Sequence, residues 1–88
     1  MLDKKQKERI IEKFKTHATD TGSPQVQIAI LSAEMKELSE HLVSHKKDFS
    51  SRKGLLRKVN ERRRLLKYLK REDAKGYDKL AEMLKIEA

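Results

Sequence analysis

The sequence predicts an all-α fold: a small four-helix bundle with two long antiparallel helices and a weakly docked N-terminal helix. Three observations carry this. One proline and three glycines in 88 residues leave few breaks. Leucine and isoleucine recur at three- and four-residue steps through two long segments. The chain is 41% charged and 36% apolar, which suits narrow apolar stripes on polar helices, whereas disorder would lack such spacing. The length admits a single helical domain over residues 1–88. A chain of this size buries only about 60–65% of its unfolded surface, so modest stability is expected.

The first helix is expected from about Asp3 to Thr16, with Ile10, Ile11 and Phe14 on one side. That stripe is thin and predicts weak docking. Residues 17–23 read as a loop. Ser23 and Pro24 then start a second helix, serine as N-cap and proline at the first helical position. It runs to about Ser44, and Ile28, Leu31, Met35, Leu38 and Leu42 form its seam. Residues 45–51 make a second loop. The third helix is expected from about Ser51 to Asp73, burying Leu55, Leu56, Val59, Leu66 and Leu69, with Leu65 beside them. Arg62 falls close to this stripe and is expected to bury its methylenes and send its guanidinium outward. Tyr77, Leu80, Ala81 and Leu84 mark a short last helix. The loop between helices two and three is short enough to make them an antiparallel pair.

Charge narrows the function. The net charge is +8. Residues 1–44 balance seven Lys/Arg against seven Asp/Glu. Residues 45–71 hold twelve basic residues against Asp48 and Glu61 alone. A solvated helix face usually mixes signs into i,i+4 pairs, and this one hardly does. A polyanion is the expected partner. On a helical wheel the third helix's stripe centres near Leu66, and Arg64 and Tyr68 lie about 160° away. Lys53, Arg57, Asn60 and Arg71 share that outer side. A tyrosine among arginines on a basic face suits nucleic acid: the ring stacks on an unpaired base or ribose and the arginines hold phosphates. DNA remains open, since a basic helix enters a major groove. Small polar loop groups and a carboxylate beside the basic face tilt the reading to the RNA minor groove, with its 2′-hydroxyls and guanine amino groups.

Other chemistries find little support. Without cysteine there is no disulfide framework, thiol nucleophile or iron–sulfur site. His41 and His45 are four apart with Asp48 nearby, but a fourth zinc ligand is missing. The serines lack a spaced base, and there is no glycine-rich phosphate loop. No enzyme, metal or cofactor is expected. The apolar runs are too short for a membrane span, and the N-terminus does not read as a signal peptide, so a cytoplasmic protein is expected.

Two stretches, DTGSPQVQIAIL at residues 20–31 and HLVSHKKDFSSRKGLLRKVNERRRLLKYLKR at residues 41–71, closely resemble the bacterial small-subunit ribosomal protein S15 family. The order of motifs agrees over nearly the whole chain. The resemblance implies a four-helix structural protein that binds small-subunit rRNA directly at a three-way junction of the central domain. It implies that binding fixes the junction and admits neighbouring platform proteins. It further implies a contact with large-subunit rRNA through an intersubunit bridge and, in some bacteria, repression of the protein's own mRNA. Carried onto this sequence, the junction contacts fall on Thr21, Gly22 and Gln27 with Tyr68 and nearby basic residues such as Arg64 and Arg71. A second site, at a G·U/G·C minor groove, falls on His41, Asp48 and Ser51. Some relatives have a bulkier aromatic after the first histidine and a histidine pair after HKKD, where this chain has Leu42, Phe49 and Ser50. Gly22 would admit the RNA backbone closely, and Thr21 and Gln27 would offer hydroxyl and amide groups. For Asp48 two roles are open, helix cap and acceptor for a guanine amino group, and the resemblance favours readout.

Two other classes make different demands. A DNA-binding helical protein would bind duplex DNA as well as folded RNA. A protein-interaction module would be indifferent to loss of the basic segment. The isolated chain is expected to be a monomer. Binding to RNA should fall by about 10³-fold or more between 50 and 200 mM salt, and a nearly flat salt plot would argue against the basic face as the docking surface.

Overall fold

A computed structural model describes residues 2–17 and 22–85. It contains α1 (Lys4–Phe14), α2 (Pro24–Ser44), α3 (Phe49–Glu72) and α4 (Ala74–Leu84), with no strand among the described residues. Each helix begins on a side chain that answers its orphan amide groups. Asp3 and Gln6 form a reciprocal capping box: the Gln6 N–H donates to Asp3 Oδ1 (2.7 Å) and the Asp3 N–H to Gln6 Oε1 (3.0 Å). Ser23 Oγ accepts from the Val26 N–H at 3.3 Å, with Pro24 in the first helical position. Asp48 caps α3. Asp73 serves two helices, its N–H closing α3 on the Leu69 carbonyl and its Oδ1 accepting from the Gly76 N–H to open α4. Gly76 is needed there, because a Cβ would run into the Asp73 carboxylate.

These caps move two boundaries. The third helix starts at Phe49 rather than near Ser51, because Asp48 and not Ser51 is the cap. The last helix starts at Ala74, directly after α3, because one aspartate ends and begins the two. α2 matches its expected bounds, where serine and proline signal the start together.

α2 and α3 form the antiparallel pair, about 31 and 36 Å long at 1.5 Å per residue. They account for the 40 Å long axis of the molecule. α1 packs on α2, and α4 packs across α3 and α2. The core sits at one end of the pair, where Ile28, Leu69, Tyr77 and Leu80 are buried and Phe14, Leu65, Leu66 and Leu84 pack against them. α1 contributes no fully buried residue: Ile10, Ile11 and Phe14 are partly buried, and Phe14 packs against the core.

Two residues depart from expectation. Leu56 is 62% exposed, not buried. α4 covers the far half of α3, so near its start α3 has only α2 to pack against, and Leu56 lies off the narrow line that α2 covers. Arg62 does not simply point its guanidinium outward. Its Nη1 donates to Ser32 Oγ on α2 at 3.1 Å, and that hydroxyl donates in turn to the Ile28 carbonyl at 2.8 Å. One further tie crosses the pair, Lys58 Nζ to Glu34 Oε1 at 3.3 Å, with both side chains mostly covered. If the core lies where the four helices meet, Ile28→Ala should cost about 2–5 kcal/mol. Leu56→Ala should stay within about 0.5 kcal/mol. Denaturant melts of both variants check this.

Candidate nucleic-acid interface

The expected site residues fall into two groups at opposite ends of the α2–α3 pair. Thr21 lies outside the described residues. Gly22 and Gln27 stand at the start of α2, both exposed, where Gln27 Nε2 donates to the Gly22 carbonyl at 2.6 Å and ties the loop to the first turn. A Cβ placed on Gly22 would meet nothing within 4 Å among the described residues.

Because the pair is antiparallel, the end of α3 lies at the same end of the bundle. There Tyr68 is 47% exposed, and the Arg71 guanidinium sits 5.6 Å from its ring centroid. Arg71 Nε also meets Glu72 Oε1 at 3.2 Å. Arg64 is exposed on the same outer face and has no carboxylate partner among the described residues. The helical wheel thus gives the orientation of Tyr68 correctly: Leu65, Leu66 and Leu69 take the inner side and the phenol faces out.

The second group is a connected cluster at the other end. Asp48 Oδ1 accepts from the Ser51 N–H (3.0 Å), and Oδ2 accepts from Ser51 Oγ (2.6 Å) and from His41 Nε2 (2.8 Å). The helix cap is therefore fully formed, and the same carboxylate fastens α2 to α3. The Ser51 hydroxyl, then His41 and the Ser51 amide, hold the Asp48 carboxyl far below the usual carboxylate range. Its side chain is still 34% exposed. A carboxylate has about four lone-pair positions, so three bonds leave acceptor capacity.

His45 escaped the sequence reading except as a metal candidate. Its ring stacks on His41 with centroids 4.3 Å apart and planes 7° from parallel. Its Nδ1 lies 3.1 Å from both the His41 carbonyl and Ser44 Oγ. The i,i+4 spacing of the two histidines was the available signal, and it marks a stack. Among the described residues no group of three His, Cys, Asp or Glu could hold a metal ion. No helix among them is long and apolar enough to cross a membrane.

A bundle with one strongly basic helix, an exposed tyrosine on that helix and two polar groups about 26 Å apart along it, from Ser51 to Tyr68, has the features of a polyanion-binding protein. Comparison with known families agrees: the chain belongs to the ribosomal protein S15 family, whose model matches residues 6–87. It is 55% identical over 84 residues to the small ribosomal subunit protein uS15 of Caldanaerobacter subterraneus subsp. tengcongensis, covering 96% of each chain. It is 54% identical over 85 residues to uS15 of Campylobacter lari, covering 97% of this chain and 94% of the relative. It is 49% identical over 85 residues to uS15 of Staphylococcus carnosus, covering 97% and 96%. Membership makes it a structural, non-enzymatic ribosomal protein.

The lowered Asp48 pKa carries a sign. A carboxyl depressed on folding stabilises the fold above its unfolded pKa, about 3.9, and loses that contribution as pH falls toward the folded value. The stability gap between the parent and Asp48→Ala should therefore be constant from pH 7 to 5 and narrow below about pH 4. Melts at pH 7, 5 and 3 check this. A gap that closes between pH 7 and 5 would mean that the carboxylate is not the group responsible.

Proposed function

We propose that this protein is a structural component of the small ribosomal subunit that binds rRNA in two places at once. The start of α2 and the outer face of α3 meet a three-way junction of the central domain, through Thr21, Gly22, Gln27, Arg64, Tyr68 and Arg71. The His41–Asp48–Ser51 cluster meets a minor groove carrying a G·U/G·C pair. The observation that carries the reading is Tyr68. Its ring stands half exposed beside the Arg71 guanidinium, on a helix face whose cations have few carboxylates to answer them. An exposed aromatic costs apolar hydration, and an unpaired base recovers that cost by stacking.

The second cluster supports the reading through its unused acceptors. Having donated to Asp48, Ser51 Oγ keeps lone pairs for a 2′-hydroxyl or a guanine amino group. Asp48 keeps acceptor capacity beside it and fixes the orientation of both Ser51 and His41. Cap and readout are then one arrangement.

Holding two RNA sites on one rigid pair of helices fixes the angle between the RNA arms they bind. That is the physical content of organising the junction for neighbouring platform proteins. The same placement leaves other surfaces free for large-subunit rRNA across an intersubunit bridge. The protein acts in the cytoplasm, on the ribosome, and is a monomer when isolated.

Tyr68→Ala should weaken binding to a central-domain rRNA fragment by about 1–3 kcal/mol and change stability by less than about 0.5 kcal/mol. Asp48→Ala should melt earlier, by about 4–8 °C for loss of one cap. It should also lose most of its preference for RNA that keeps the G·U/G·C pair. Filter binding against both RNAs, with melting curves alongside, separates the effects. A variant that melts early but discriminates as the parent does would reduce Asp48 to a cap.

A further inference from the structure

α3 has a second basic side that the two sites above leave unused. Between α3 and α4 lies an open pocket of about 400 Å³ walled by Arg62, Arg63, Lys67 and Lys70 over Leu66 and Tyr77. Its lining contains four cations and no carboxylate. None of the four takes part in an ion pair among the described residues. Four like charges around one concavity repel one another, and the lining offers no carboxylate to offset them.

Exposed lysines alone would be an ordinary solvated face. Two of these cations are held in place. Arg62 is half-buried with Nη1 on Ser32 Oγ at 3.1 Å, which leaves the other donors of its fork available. Lys70 Nζ lies 5.5 Å from the centroid of the buried Tyr77 ring. A planar guanidinium and an ammonium fixed on the walls of a concave surface suit phosphate oxygens.

The pocket also faces away from Tyr68. At 100° per residue, Arg63, Lys67 and Lys70 lie about 100–160° around the helix from it. The two sets occupy different sides of a rod roughly 10 Å across, too far apart for one phosphate to serve both. We infer that the Arg62–Arg63–Lys67–Lys70 pocket is a second phosphate-binding site, occupied by the backbone of an RNA segment other than the one that meets Tyr68. α3 then lies between two lengths of RNA, with an aromatic contact on one side and a purely electrostatic one on the other. The inference rests on the RNA-binding reading above and adds the location of a contact that carries no sequence information.

The test compares the full chain, the Arg63→Gln/Lys67→Gln/Lys70→Gln variant and Tyr68→Ala on one central-domain rRNA fragment. Arg62 is left intact because it ties α3 to α2. The slope of log affinity against log salt should become shallower by about 2–3 in the triple variant. Its affinity should be about 100-fold lower at 0.1 M salt, with the curves converging toward 1 M. Phosphate-ethylation interference should vanish over one RNA segment in the triple variant and over a different segment in Tyr68→Ala. If the triple variant melts early, Arg63→Gln/Lys67→Gln keeps Lys70 on the Tyr77 ring and should still make the slope shallower by about 1–2. An unchanged slope, or loss of the same phosphates that Tyr68→Ala loses, overturns the inference while leaving the RNA reading intact. If neither variant weakens binding, the RNA reading fails and the inference with it.

Discussion

Along the seam between α2 and α3, apolar contacts alternate with three polar ties: Arg62 on Ser32, Lys58 on Glu34 and His41 on Asp48. Every other element is arranged around this seam. α1 lies on the outer side of α2, α4 lies across both helices at one end, and the two polar clusters sit at the two ends. Covered ion pairs add little net stability, because desolvation offsets much of the attraction. What they contribute is register. Sliding α3 by one turn, 5.4 Å, would strand all three pairs at once. A narrow leucine seam would tolerate such a slide far better. The polar ties therefore set the spacing between the two ends, and that spacing is what the proposed two-site binding requires to stay constant.

The charge distribution follows from the same layout. α2 faces neighbours on several sides, so it buries Val26, Ile28, Ala29, Leu31 and Leu38 and has little surface for charge. α3 buries only Leu69 fully and turns most of its circumference outward. Its cations occupy that free surface, and few carboxylates stand among them. In isolation this arrangement is unfavourable. Bound to a polyanion it becomes the main source of affinity. The protein's modest core and its strong field are two consequences of one choice, a bundle only two long helices thick.

Much of the fold was legible because caps and periodicity are local. Ser23 and Pro24 mark the start of α2, and the outward position of Tyr68 follows from its angle to Leu66. The errors arose where tertiary context decides. Leu56 matches the buried pattern in sequence, but its burial depends on how far α4 reaches along α3. Arg62 looks like a snorkelling side chain until Ser32 appears opposite it on another helix. The start of α3 depended on which of two good capping residues, Asp48 or Ser51, takes the role. Of the polar cluster, the membership of His41, Asp48 and Ser51 came from the family resemblance. The histidine spacing alone raised a metal site, which the missing fourth ligand set aside. Its real consequence, a ring stack that backs the His41–Asp48 bond, needs the helix end to be seen in three dimensions.

The central claim is that one rigid helix pair holds two separate RNA sites at a fixed distance. Hydroxyl-radical footprinting of naked small-subunit rRNA with the full chain tests it most directly. Two distinct protected regions are expected in the central domain, one at the three-way junction and one at a helix bearing the G·U/G·C pair, appearing together as protein is added. Protection of a single region, or of both at different protein concentrations, would contradict it.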